Sequence, residues 1–88
     1  MVMDMKNKVL ITIVVPTLME TYDVYIPVNE KVAKIKELLI ESISEFTENE
    51  FDKSRKYNLI NAKTGTIYKN NEIVRDTDIT NSTKIIII

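Results

Sequence analysis

The 88-residue sequence has no cysteine, no histidine and a single glycine, Gly65. Without thiols there is no disulfide framework and no thiol chemistry. Without imidazole as well, Ser-His-Asp and Cys-His nucleophile systems are excluded, and nearly all zinc sites with them. One glycine cannot build a phosphate-cradling loop, because such loops need several glycines to bring the backbone close to phosphate. Charge is balanced, with 12 Lys and Arg against 13 Asp and Glu for a net charge of −1. No general field therefore draws the chain to nucleic acid or to anionic lipid. No run approaches the ~20 apolar residues of a membrane span, and the opening MVMDMKNK lacks the apolar core of a signal peptide. These absences predict a protein without catalysis, cofactor or metal, resident in the cytoplasm, with no direct membrane insertion and no nucleic-acid partner.

What is present is ordinary globular material, 44% hydrophobic and 28% charged, enough for one domain over residues 1–88 with residues 1–7 as a flexible lead-in. Residues 8–15, KVLITIVV, are rich in β-branched side chains and end at the turn-forming PTLMET, which predicts a strand. Residues 22–26, YDVYI, alternate in polarity and stop at Pro27, as an edge strand does. As a hairpin, the two runs place Val9, Ile11 and Ile13 on one face with Tyr22, Val24 and Ile26.

From Glu30 the apolar spacing changes to that of a helix, with Val32, Ile35, Leu39, Ile43 and Phe46 on one face. Asn29 is the predicted N-cap, and Glu30 suits the positive end of the helix dipole. The polar stretch TENEFDKSRK ends the helix, with Phe51 as a plug under the core. YNLIN (57–61) and TIYK (66–69) then form a predicted hairpin about Gly65, which can take the positive φ such a turn requires. NNEIVRDTDITNST is a connection giving Ile73 and Ile79 to the core, and KIIII is the final strand. The order β-β-α-β-β-β, with one helix to cover one face of one sheet, is an α+β domain of two layers.

With these residues in it, that order resembles the ubiquitin-like β-grasp from about Val9 to Ile88. YDVYIPVNEKVAKIKELL is similar to the second strand and helix entry of ubiquitin-like domains. YNLINAKTGTIYKNNEIVRDTDITNSTKIIII is similar to their third strand, turn, connection (here VRDTDI, Val74 to Ile79) and last strand. The ending resembles the YukD-like proteins, small bacterial ubiquitin-like proteins associated with type VII secretion. The resemblance implies that the last strand lies in the centre of the sheet, parallel to the first. Ile85 and Ile87 would then enter the core with Leu59, while Ile86 and Ile88 face the other way. It further implies a non-catalytic protein–protein interaction module without the diglycine tail through which ubiquitin and sulfur carriers act. A chain ending at Ile88 is expected to be neither conjugated modifier nor sulfur carrier, unless the native chain runs on to Gly-Gly. The expected partner is the membrane secretion machinery or its ATPase. The alternative is a small β-grasp subunit of a multicomponent bacterial enzyme such as a diiron monooxygenase.

Two surfaces are candidates. On the outer sheet face, Leu10, Thr12, Val14, Ile60, Ile86 and Ile88 are expected side by side, Ile60 falling where the resemblance places ubiquitin's main recognition isoleucine. Such a patch would suit a partner or a second copy of the chain. The plainer reading is that sheets favour β-branched residues whatever they bind. On the helix, Glu37, Glu41 and Glu45 recur at i, i+4 and form a secondary acidic surface, for a basic partner or simply for water. No glycine turn organises these carboxylates into a calcium loop. Asn81-Ser82-Thr83 matches a glycosylation sequon but reads as turn chemistry before a strand. The basic run DKSRK (52–56) lacks an aromatic platform for nucleic-acid bases.

Overall fold

The computed structural model describes residues 7–88, and the expected lead-in lies outside them except for Asn7, whose carbonyl accepts the Val28 N–H at 2.8 Å. Among the described residues the regular elements are β1 (Lys8–Val15), β2 (Glu20–Pro27), α1 (Val32–Phe46), β3 (Leu59–Asn61) and β4 (Lys84–Ile87), with short 3₁₀ turns at Pro16–Leu18 and Val74–Asp76. The sheet order is β2-β1-β4-β3. β1 and β2 pair antiparallel over their whole length, Lys8 opposite Pro27 and Val15 opposite Glu20. β4 runs parallel to β1, Ile13 opposite Ile85, and antiparallel to β3, Leu59 opposite Ile87.

The isoleucine run at the end of the sequence is therefore a central strand, as expected. Its ladder is bonded on both sides, so its apolar residues expose no unpaired edge. The period of two sends Ile85 and Ile87 into a core where each is at most 1% exposed, and leaves Ile86 half-buried on the opposite face. Ile11, Ile13 and Val15 from β1, Ile26 from β2 and Leu59 from β3 share the buried face. Val32, Ile35, Leu39 and Ile43 of α1 close over it. The inward set expected of the hairpin holds, though Val9, Tyr22 and Val24, nearer the sheet's margin, are only partly buried.

Three local expectations are corrected. The helix begins at Val32 rather than Glu30, and Asn29 does not cap it. Lys31 is extended and pairs with Ile73, while the first helical amides donate to the neighbouring loop, Val32 N–H to the Glu72 carbonyl at 2.8 Å and Ala33 N–H to that of Asn70 at 3.1 Å. A tertiary contact thus satisfies donors that a side-chain cap would otherwise take. Asn29 instead accepts a hydrogen bond from Arg75 Nη1 at 2.9 Å.

The expected strand TIYK is reduced to a single bridge, Ile67 opposite Ile60. Gly65 does take the positive φ of the turn, +77°. Beyond Ile67, however, Tyr68 turns into the core and Lys69 N–H is bound by Glu72 Oε1 at 2.7 Å, which ends the pairing. In the following connection the fully buried side chain is Val74, with Ile79 as expected; Ile73 is only partly covered. Phe51 is the expected plug, 2% exposed and stacked on Tyr57 with ring centroids 4.6 Å apart.

Candidate functional site

Residues with even numbers on β1 and β4 face away from the helix, and the strand registers decide which of them meet. Val14 lies opposite Thr21 of β2 and Ile86 of β4, Ile86 lies opposite Ile60 of β3, and Ile60 is bridged to Ile67. Val14, Ile86, Ile60 and Ile67 thus form one aliphatic row across the sheet. Ile67 is 56% exposed, while the other three are half-buried by one another. Ile88, opposite Asn58 through two backbone hydrogen bonds of 3.1 and 3.3 Å, extends the face beyond Ile86.

Thr12 and Leu10 do not join this row. Thr12 lies in the next row along, between Asp23 and Lys84, and its hydroxyl donates to Asp23 Oδ1 at 2.8 Å. That polar row separates Leu10 from the aliphatic one. Leu10 sits opposite Tyr25, beyond the end of β4, with its N–H bound to Asn81 Oδ1 and its carbonyl accepting Ser82 N–H, both at 2.8 Å. Four residues of strand hold Leu10 about 13 Å along β1 from Val14. The six residues expected side by side therefore divide into an aliphatic row (Val14, Ile60 and Ile86), Ile88 beyond one side of it, Thr12 in a polar row on the other, and Leu10 paired apart with Tyr25. Ile67 belongs to the row and was missed. A hairpin register counted from Gly65 would have set it opposite Ile60.

Glu37, Glu41 and Glu45 are all exposed on α1. Lysines already answer two of them, Lys34 4.0 Å from Glu37 and Lys53 3.7 Å from Glu41. Exposed pairs of this kind contribute little to stability, but they lower the field that a basic partner would meet.

At one end of the sheet the turn 61–64 and the loop 80–84 flank an open polar cleft of about 650 Å³. Beside it runs a hydrogen-bonded chain in which Asn61 Nδ2 donates to Tyr68 Oη at 3.0 Å and Tyr68 Oη donates to Asp78 Oδ1 at 2.6 Å. Burial, then the hydrogen bond to Asp78, push the Tyr68 phenol up to about 12. The side-chain oxygen Asn61 Oδ1 accepts the N–H groups of Lys63 and Thr64 at 2.9 and 3.2 Å. Every group in the chain has a partner, so it reads as a clasp between turn and connection rather than as a reactive centre. Among the described residues, no three acidic side chains are grouped closely enough to hold a metal ion.

One helix packed on a mixed four-stranded sheet, with the last strand central and parallel to the first, decides the architecture. The fold is the ubiquitin-like β-grasp. Comparison with solved structures supports it. The ubiquitin-like domain of the Mycobacterium tuberculosis type VII secretion system protein ECCD1 is similar at TM-score 0.72 and 12% identity, over 92% of this chain and 97% of that one. A chain of the MycP5-free ESX-5 inner membrane complex is similar at TM-score 0.74 and 11% identity, over 93% of this chain but only 21% of that one. A chain of the toluene 4-monooxygenase HD complex matches at TM-score 0.68 and 7% identity, over 91% and 95%. At these identities the likeness is one of fold. No family model and no curated protein matches the sequence.

Proposed function

We propose that this β-grasp domain is a non-catalytic interaction module that holds a protein partner on its outer sheet face, as a YukD-like cytoplasmic accessory of a bacterial type VII secretion system. The observation that carries this reading is the aliphatic row Val14, Ile86, Ile60 and Ile67, in register across the sheet and on the face opposite the helix. An apolar strip of this kind commonly marks a contact surface. The likeness to the ECCD1 domain and to a chain of an inner membrane complex supports the secretion assignment, and the partner proposed on that basis is the membrane machinery or its ATPase. Self-association through the same face is a further use of the row. The likeness to a chain of the toluene 4-monooxygenase complex favours a second reading, a small subunit of a multicomponent enzyme.

The test is affinity capture from native lysate with mass-spectrometric identification, using the wild-type chain, Ile60→Asp and Glu41→Lys as baits. Each Ile buried at an interface contributes roughly 1.5–3 kcal/mol. Ile60→Asp should therefore lose at least tenfold of the captured secretion subunit while remaining folded, with a dispersed amide NMR spectrum, and Glu41→Lys should retain it. Capture of hydroxylase subunits would select the second reading. Loss with Glu41→Lys but not with Ile60→Asp would move the working surface to the helix.

A further inference from the structure

On the flank of α1 away from β2, the helix faces the segment 55–58 across an open trough of about 470 Å³. Ala33, Lys36 and Ile40, spaced i, i+3 and i+7, share this side of the helix. Lys36 Nζ reaches across and donates to the Tyr57 carbonyl at 3.0 Å, which fixes its ammonium in the trough. Arg55 is held by cation–π contact, its guanidinium carbon 5.3 Å from the Tyr57 ring centroid, and Lys56 lies beside it. Three cations thus line one trough of a chain whose net charge is −1.

The carboxylates nearby are engaged elsewhere. Glu37, the acidic residue of the trough wall, lies 4.0 Å from Lys34. Asp52 interacts with Arg55 by charge, but its carboxylate takes the Ser54 N–H at 2.8 Å and the Ser54 hydroxyl at 2.6 Å. Among the described residues neither Arg55 nor Lys56 is in an ion pair. Between the cations, Ala33 and half-buried Ile40 make an aliphatic floor. From Ala33 to Ile40 the helix rises about 10 Å, the length of roughly three extended residues.

We propose that this trough docks an acidic segment of a protein partner, one aliphatic side chain on the Ala33–Ile40 floor with carboxylates on either side toward Lys36, Arg55 and Lys56. The surface is separate from the outer sheet face and does not depend on the function proposed for it. Protein is favoured over nucleic acid because Tyr57 is buried, stacked on Phe51 and overlain by Arg55, and so offers no ring face to a base.

The test is an amide-resolved NMR titration of the labelled protein with three probes: the blocked peptide Asp-Glu-Leu-Glu-Asp, its amide counterpart Asn-Gln-Leu-Gln-Asn, and a hexathymidylate oligonucleotide. The acidic peptide should give saturable shifts centred on Ala33, Lys36, Ile40, Tyr57 and Asn58, weakening as salt is raised. The amide peptide should bind at least tenfold more weakly, as should the acidic peptide to the Arg55→Glu/Lys56→Glu double variant. Ala33→Glu, at an exposed helical position, should cause a similar loss with amide dispersion unchanged. Absence of saturable shifts, shifts centred elsewhere, undiminished binding by the variants, or equal binding of the oligonucleotide in the trough would each overturn the proposal.

Discussion

Ile86 and Ile87 are neighbours in the chain and face opposite ways, the first half-buried on the outer face and the second 1% exposed in the core. Truncating a buried aliphatic costs about 2–5 kcal/mol, because it loses transfer free energy and leaves a cavity. Ile87→Ala should therefore lower the denaturant midpoint far more than Ile86→Ala, and equal losses would mean that both faces are covered. The Asn61–Tyr68–Asp78 chain makes a different residue-scale prediction. The Tyr68 phenol titrates near 12 when folded, above the ordinary value of 10. Its raised value contributes stability that is complete below pH 10 and disappears as pH rises through about 12. A spectrophotometric titration should show a late phenolate step, at about 12, that is absent from Tyr68→Phe. Tyr68→Phe should flatten the loss of stability over that interval, while costing about 1–3 kcal/mol at neutral pH for the polar partners left unmatched.

At the scale of elements, a strong period and a buried face made the structure legible. The β-branched run of β1, the 3-4 spacing of α1 and the Ile alternation of β4 each announced their element, and the parallel central position of β4 came from the ubiquitin-like resemblance. What could not be read depended on groups far away in sequence. The helix start is set by carbonyls at Asn70 and Glu72, so the local capping rule at Asn29 misled. The strand at 66–69 stops after the Tyr68 N–H bonds the Leu59 carbonyl, because the next amide, Lys69, goes to Glu72 Oε1. The outer face was assigned by alternation alone, which fixes the side of the sheet but not the position along it. Register then separated Leu10 from Ile86. Because β4 is bonded to β1 and β3, deleting Ile85 to Ile88 removes the middle of the sheet. Such a truncation should lose its dispersed amide NMR spectrum, and a dispersed spectrum would contradict the central placement.

The described residues share one buried cluster, fed by the helix, every strand and both long connections through Phe51, Tyr57, Tyr68, Val74 and Ile79. A domain this small buries only about 60–65% of the surface its unfolded chain would expose, so no part of the cluster can open alone without losing much of the rest. Unfolding should then be a single cooperative transition, with helix signal by circular dichroism and tyrosine signal by fluorescence falling at the same denaturant concentration. Hydrogen exchange should grade the interior accordingly. The amides of Ile13 and Ile85, at the centre of the sheet, should exchange only through global opening. Those of Glu48 and Asn49, exposed left-handed residues outside the cluster that Phe51 joins, should exchange by local opening. If instead the helix lost its protection well before β1 and β4, the two layers would be separate folding units. Surfaces on the sheet and on the helix flank could then be switched independently, whereas a single cooperative core holds both in fixed relation for any partner that touches them.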